Sequence, residues 1–196
     1  MAPAKDENSL ETLKEKLTVA ETGAQKYSTA SDLLTSAGKA LQGAAGSLKM
    51  TQMSNGMEMM GDIMRPGRRG GRGIRGRRGD MGHTMIEMAT VKRAQKSIQE
   101  AGQMIQKAMS LVPTIPFIKP ATVQGAMSGV VLNALLMPGI VGDVMQQAKV
   151  KKAQAEVMQM AKECEMAQDW CQKSYMAAHS EAVQLQTTIK MQEMKV

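Results

Sequence analysis

Aromatic residues are almost absent from this chain. Its 196 residues include two tyrosines, one phenylalanine and one tryptophan, whereas methionine occurs 21 times. Large rigid rings usually fill the core of a compact domain, so their scarcity argues against a compact globular fold. Proline is also scarce, and its placement leaves two long stretches without a helix breaker. We therefore predict an all-α protein, built as an elongated helical hairpin or bundle.

Patterns typical of enzymes and metal sites are lacking as well. His83 and His179 are solitary, and neither has a cysteine or paired carboxylates at catalytic or metal-binding spacing. The glycines of 71–76 match the letters of a dinucleotide-binding loop, but no strand is predicted before them and no Walker lysine follows. We interpret the methionines of 50–64 as packing residues rather than copper ligands. We therefore expect no catalytic activity, no cofactor and no metal site.

Only two cysteines are present, Cys164 and Cys171, and they form no CxxC motif. Seven residues apart on one helix, they would share a face at a separation of roughly 10 Å, too far for a disulfide between them. We predict two buried thiols, with an inter-chain disulfide as the alternative. The first residues contain no apolar run, so no secretory signal is predicted; an intracellular, virion-associated or leaderless-export setting fits this.

The segment Arg65–Gly79 contains seven arginines, six glycines and no acid. The whole chain has 25 Lys or Arg against 18 Asp or Glu, so removing these seven leaves the two signs balanced at 18 each. Guanidinium groups bind phosphates and carboxylates through paired hydrogen bonds, and glycine keeps the backbone mobile. The predicted polyanion-binding residues are Arg65, Arg68, Arg69, Arg72, Arg75, Arg77 and Arg78.

In composition, this segment resembles the Arg/Gly-rich segments of RNA-associated proteins. The resemblance implies binding to a polyanion without saying which one. No aromatic residue lies in or beside the segment, so we expect contacts with a phosphate backbone rather than readout of bases. Acidic lipid head groups are the competing partner, and a solvated loop that only keeps the protein soluble is the third interpretation.

Apolar positions recur at alternating steps of three and four residues along three stretches, which predicts helices with coiled-coil-like seams. Helices are expected at 8–64, with a break possible at 55–56, at 84–112 after a capping box at Thr84–Glu87, and at 143–196. Residues 1–7 are predicted to be flexible, and 65–83 to form a disordered Arg/Gly-rich loop. Because long seams expose apolar stripes, we predict self-association. The predicted oligomer-seam residues are Leu10, Leu13, Leu17, Leu34, Leu41, Val157, Cys164, Cys171, Tyr175, Leu185 and Ile189.

Residues 113–142 are predicted to form an apolar hairpin. Within them, 120–142 is an uncharged run bounded by Lys119 and Asp143, nominally long enough to cross a bilayer but diluted by polar residues. Gly125 and Gly129 form a GxxxG motif, which permits close helix approach in lipid or in a bundle. The residues assigned to membrane insertion or close packing are Gly125, Gly129, Val130, Val131, Leu132, Leu135 and Leu136.

Two hypotheses of function follow. The first is a non-enzymatic, self-associating scaffold protein, for example a virion or filament subunit, that binds a polyanion, with nucleic acid as the favoured partner, through Arg65–Gly79. The alternative is a membrane-active helical protein, such as a pore former or translocator, that inserts 113–142 and contacts an anionic membrane.

Overall fold

The computed structural model describes residues 9–63, 77–119, 123–124 and 143–194, with the side chains of 52–63, 77–88 and 143–147 left out of the description. These residues contain three helices and no strand, which confirms the predicted all-α class. The helices are α1 (Leu10–Ile63), α2 (Arg77–Leu111) and α3 (Asp143–Glu193).

The start of α1 follows from its sequence. The backbone N–H of Thr12 donates a 3.3 Å hydrogen bond to Oγ of Ser9, so Ser9 caps the helix, and Glu11 places a carboxylate in the first turn. The helix then continues through 55–56, where a break was considered. A single glycine in a helix interior costs only about 1 kcal/mol, which is too little to interrupt a helix of this length by itself.

The start of α2 differs from the sequence prediction. The helix begins at Arg77 rather than near Met85, so the loop predicted for 65–83 shares residues 77–83 with α2. The capping box at Thr84–Glu87 lies inside the helix rather than at its end. Once a helix has nucleated, each added residue forms one more hydrogen bond, so it can extend beyond a favourable capping sequence.

Helices α1 and α3 pack against each other in antiparallel orientation. Near one end, Nζ of Lys14 lies 2.9 Å from Oε1 of Glu193, and Nε2 of Gln186 donates a 3.0 Å hydrogen bond to Oε1 of Glu21. Farther along α1, a Cβ atom added to Gly38 would lie 3.9 Å from Cβ of Cys164. In these pairs the residue number in α3 decreases as the residue number in α1 increases, so the two helices are antiparallel.

Helix α2 also packs against α1. Beside the seam that faces α3, α1 buries a second row at Ala30, Ala37 and Ala44, each fully inaccessible to solvent. If α2 ran parallel to α1 and covered this row, it would have to start beside Ala30, about 50 Å back along α1 from Ile63. The residues between the two helices could span that distance only when fully extended. An antiparallel hairpin meets no such limit, so we place the end of α2 near Ala30.

The buried residues divide the molecule into two regions. In the first, which we call the body, one continuous cluster joins 30–48 of α1, 91–108 of α2 and 150–171 of α3. In the second, the arm, 10–27 of α1 packs against 175–193 of α3, and its buried residues are not part of that cluster. Tyr27 and Trp170 meet at the boundary, with ring centroids 5.8 Å apart in an edge-to-face arrangement.

The chain that follows α2 belongs to the body. Val112, Ile115, Ile118 and Val123 are buried in the same cluster. Phe117 is 53% exposed, and its φ of 74° is unusual for a bulky residue. The rest of the predicted apolar hairpin, including the GxxxG motif and all seven residues assigned to membrane insertion or close packing, lies outside the described residues. Among those that are described, no helix is long and apolar enough to span a membrane.

Candidate polyanion interface

The predicted polyanion-binding arginines follow the end of α1 in the sequence and reach the first turn of α2. Arg65, Arg68, Arg69, Arg72 and Arg75 fall outside the described residues, whereas Arg77 and Arg78 belong to the first turn of α2. The segment joins the end of α1 to the start of α2. Because α3 is antiparallel to α1, α3 also starts at this end. The arm, with both described chain ends, lies at the opposite end of α1.

The seam residues predicted for an oligomer contact are packed within one chain. Most of them are buried, Leu17, Tyr175 and Leu185 are half-buried, and Leu10 is the most exposed at 37%. This covering arises because α1 and α3 each shield the other's seam. The apolar stripe from which self-association was predicted is therefore not exposed along these helices. Self-association stays a prediction; of these residues only Leu10 is exposed enough to contribute, so it requires further surface residues.

Both cysteines are free and buried, as predicted. Burial raises the pKa of the Cys164 thiol from 9.0 to about 12, and the neighbouring Glu163 carboxylate adds to the rise. Burial also raises the pKa of Cys171. A thiol must form its thiolate and be reachable in order to react, so neither cysteine is available for the inter-chain disulfide while the body is folded.

The described part of the chain contains no candidate metal-binding cluster. No three His, Cys, Asp or Glu side chains lie close enough together there to hold a metal ion. His179 instead stacks on Tyr175, with ring centroids 5.6 Å apart. The methionines of 52–64 lie outside the described side chains.

No protein-family model matches this chain, and no match was found among curated proteins or among solved structures. Its function is therefore argued from its own residues.

Proposed function

We propose that this protein is a non-enzymatic helical scaffold that binds nucleic acid through Arg65–Gly79 and associates with further copies of itself. The observation that carries the first part is the distribution of charge. The whole net charge of +7 equals the contribution of seven arginines in one segment that has no acid. A polyanion is the class of partner that such a segment attracts.

The position of the segment supports this role. It connects the end of α1 to the first turn of α2, and both helices are packed in the body farther along their length. A glycine-rich chain held at both ends can adapt to a phosphate backbone while it stays tied to a rigid support.

Duplex binding measured over a series of salt concentrations tests the nucleic-acid partner. If all seven arginines contact phosphates, the slope of log K against log salt approaches roughly −6. Changing all seven to Gln is expected to remove that dependence, whereas changing them to Lys keeps the charge and is expected to preserve most of it. Binding that does not respond to salt, or no binding by the wild type, would overturn the proposal.

Acidic lipid is the competing partner, and a competition experiment separates it from nucleic acid. We expect an excess of vesicles containing phosphatidylserine to leave most of the duplex bound to the protein. If these vesicles displace the duplex and release an entrapped dye on contact with the protein, the membrane hypothesis replaces the one proposed. A Gly129→Lys variant then tests whether 113–142 is the inserting segment.

Self-association is proposed to use the arm. Of the nine exposed large hydrophobic residues among the described side chains, six lie on the arm and three on the body. Val19 is the most exposed of those on α1, at 73%. The six on the arm are Leu10, Val19, Met176, Val183, Met191 and Met194. Their burial between copies would supply the association energy that the covered seams do not.

Sedimentation velocity over a range of concentrations tests this second part, and electron microscopy identifies a filament or shell if one forms. We expect Val19→Lys with Met176→Lys to lower the association state, and Met50→Lys with Met158→Lys on the body to leave it unchanged. A wild type that remains monomeric at every concentration contradicts self-association.

A further inference from the structure

Exposed cations from all three helices lie near the end of the body from which α1 and α2 continue for about 20 Å toward the Arg/Gly-rich segment. We call this group the basic collar. All of its members are exposed, and the stretches that hold them, 45–51, 89–99 and 148–155, contain no acid. The collar consists of Lys49, Lys92, Arg93, Lys96, Lys149, Lys151 and Lys152.

Helix geometry places these residues at one level along the bundle. Gly38 of α1 lies opposite Cys164 of α3. Because the helices are antiparallel, Lys49, about eleven residues after Gly38, lies at the level of Ala153, about eleven residues before Cys164 and next to Lys152. With α2 placed antiparallel to α1 and its end near Ala30, as inferred above, the same advance along α1 reaches about Lys92 on α2. The fold therefore brings together cations that are far apart in the sequence.

The collar and the Arg/Gly-rich segment lie in the same, positively charged part of the chain. Residues 45–99 and 143–155, which include the Arg/Gly-rich segment, carry fourteen Lys or Arg against five Asp or Glu, a net charge of +9. The remainder of the chain carries eleven against thirteen, a net charge of −2. Without the seven segment arginines, the first part still carries seven Lys or Arg against five Asp or Glu, a net charge of +2 against −2 for the remainder.

The collar cations have few partners of their own. Among the described residues, only Lys96 of this group forms an ion pair, at 3.8 Å to Glu100, and both side chains are exposed. Exposed pairs of this kind contribute less than about 1 kcal/mol, so they compete weakly with a phosphate. The collar is therefore available to an external anion.

We propose that the basic collar is a second, folded contact surface for the phosphate backbone of a nucleic acid duplex, about 20 Å along the helices from the Arg/Gly-rich segment. This inference rests on the proposed function and adds a second site to it. The segment supplies adaptable contacts, whereas the collar holds lysines at fixed positions on helices. Linking two weak contacts raises the affinity of both, since binding at one places the other at high effective concentration.

The size of the collar suits a duplex. At the level of the collar, α1 and the α3 helix packed against it, each about 10 Å across, present a side about 20 Å wide. Duplex DNA carries one charge for about every 1.7 Å of its axis, so a surface of this width faces several phosphates at once. Lysines act on them as point charges, without reading bases.

The test compares two triple variants with the same change in net charge. The collar variant carries Lys149→Gln, Lys151→Gln and Lys152→Gln. The arm variant carries Lys16→Gln and Lys26→Gln in the arm and Lys173→Gln at its boundary with the body, three exposed lysines far from the collar. Gln and Lys have similar helix propensities, so both variants should fold, which circular dichroism checks.

We expect the collar variant to lower the salt slope of duplex binding by up to about 2.7 and to weaken affinity at least tenfold near 0.1 M salt. The arm variant should change the slope by less than about 0.5. A second collar variant, with Lys92, Arg93 and Lys96 changed to Gln, should reproduce the loss from a different helix. Equal binding by collar and arm variants overturns the inference.

The variant with all seven segment arginines changed to Gln separates the two proposals. If it loses binding while both collar variants match the arm variant, the segment alone is the site and the collar inference is wrong. If it binds as the wild type does while the collar variants lose binding, the collar stands and the role proposed for the segment fails. A wild type that does not bind duplex at all overturns both.

Discussion

The body and the arm use the same pair of helices and the same spacing of apolar residues, but they bury those residues to different extents. In the body, α1 packs against both α2 and α3, and Leu41 and Leu48 are fully inaccessible. In the arm, α1 faces α3 alone, and Leu13 and Ala20 stay 6% and 7% exposed. The number of neighbouring helices thus determines how completely a seam is shielded, and we expect stability to fall along α1 from the body to the arm.

Thiol accessibility should show the largest contrast between the two regions. A pKa of about 12 leaves Cys164 with roughly a thousandth of the thiolate of an ordinary thiol at pH 8. We expect both native cysteines to react with a disulfide reagent only after denaturation. A thiol introduced in the arm by Ala182→Cys should react at least about a hundredfold faster, because the two-helix arm opens locally more often.

The native cysteines serve as the internal control in that experiment, since all three positions are buried in the folded chain. A single slow reaction for all three thiols would mean that the arm closes as firmly as the body, and the contrast would be wrong.

Leucine truncation should show the next largest difference. We expect Leu41→Ala to lower the free energy of unfolding by about 3 to 4 kcal/mol, because the cavity would be surrounded by three elements that cannot readily collapse. Leu13→Ala removes the same atoms beside a single partner helix and should cost about 1 to 2 kcal/mol. Urea denaturation measures both values. Equal losses would show that the arm is packed as tightly as the body.

Replacing glycine by alanine should stabilise both regions slightly. Nothing lies within 4 Å of a Cβ atom added at Gly43 in the body or at Gly23 in the arm. Each substitution should therefore add about 0.5 to 1 kcal/mol, since alanine loses less backbone entropy in a helix. In the arm, the gain should also appear as slower hydrogen exchange between residues 10 and 27. A loss of stability at Gly43 would reveal a contact that the structure does not contain.

The ion pair near the end of the arm should have the smallest effect. Lys14 and Glu193 are 55% and 47% exposed in their side chains, so water and salt screen their attraction. A double-mutant cycle with Lys14→Gln and Glu193→Gln should give a coupling of at most about 0.5 kcal/mol. A coupling several times larger would mean that this pair, rather than the apolar seam, closes the arm.

The sequence was sufficient to predict the class of fold and one buried face of each helix. Within the helix predicted at 84–112, apolar residues at three- and four-residue steps from Val91 to Val112 are buried. The seams of α1 and α3 follow the prediction closely as well, because an apolar position every three or four residues must be covered by something. Periodicity does not say whether the helix that covers a seam belongs to the same chain or to another copy. The assignment of these seams to contacts between copies therefore did not follow from the periodicity.

The second buried row of α1 was missed. Ala30, Ala37 and Ala44 are spaced by seven residues, which is a usable signal, but alanine is common on exposed helix faces too. The start of α2 at Arg77 was missed because a capping box marks a favourable start without excluding an earlier one.

The basic collar was missed for a different reason. Lysines and acids were summed along the chain, and the sums cancel outside Arg65–Gly79. Short acid-free runs around Lys92 and Lys151 are visible in the sequence, yet only the antiparallel packing of the helices places them at one end. The net charge can be read from the sequence, whereas the positions of these lysines relative to one another can be read only from the fold.

The pairing of Lys14 with Glu193 brings the first and last described turns of the chain together, while α1 extends about 80 Å away from them to its other end. A tag or surface tether fused to either terminus would therefore leave the cationic end facing outward. Immobilised in this way, the protein would form an oriented layer with the Ile63 end of α1 toward the solution, a convenient geometry for capturing a partner from a mixture.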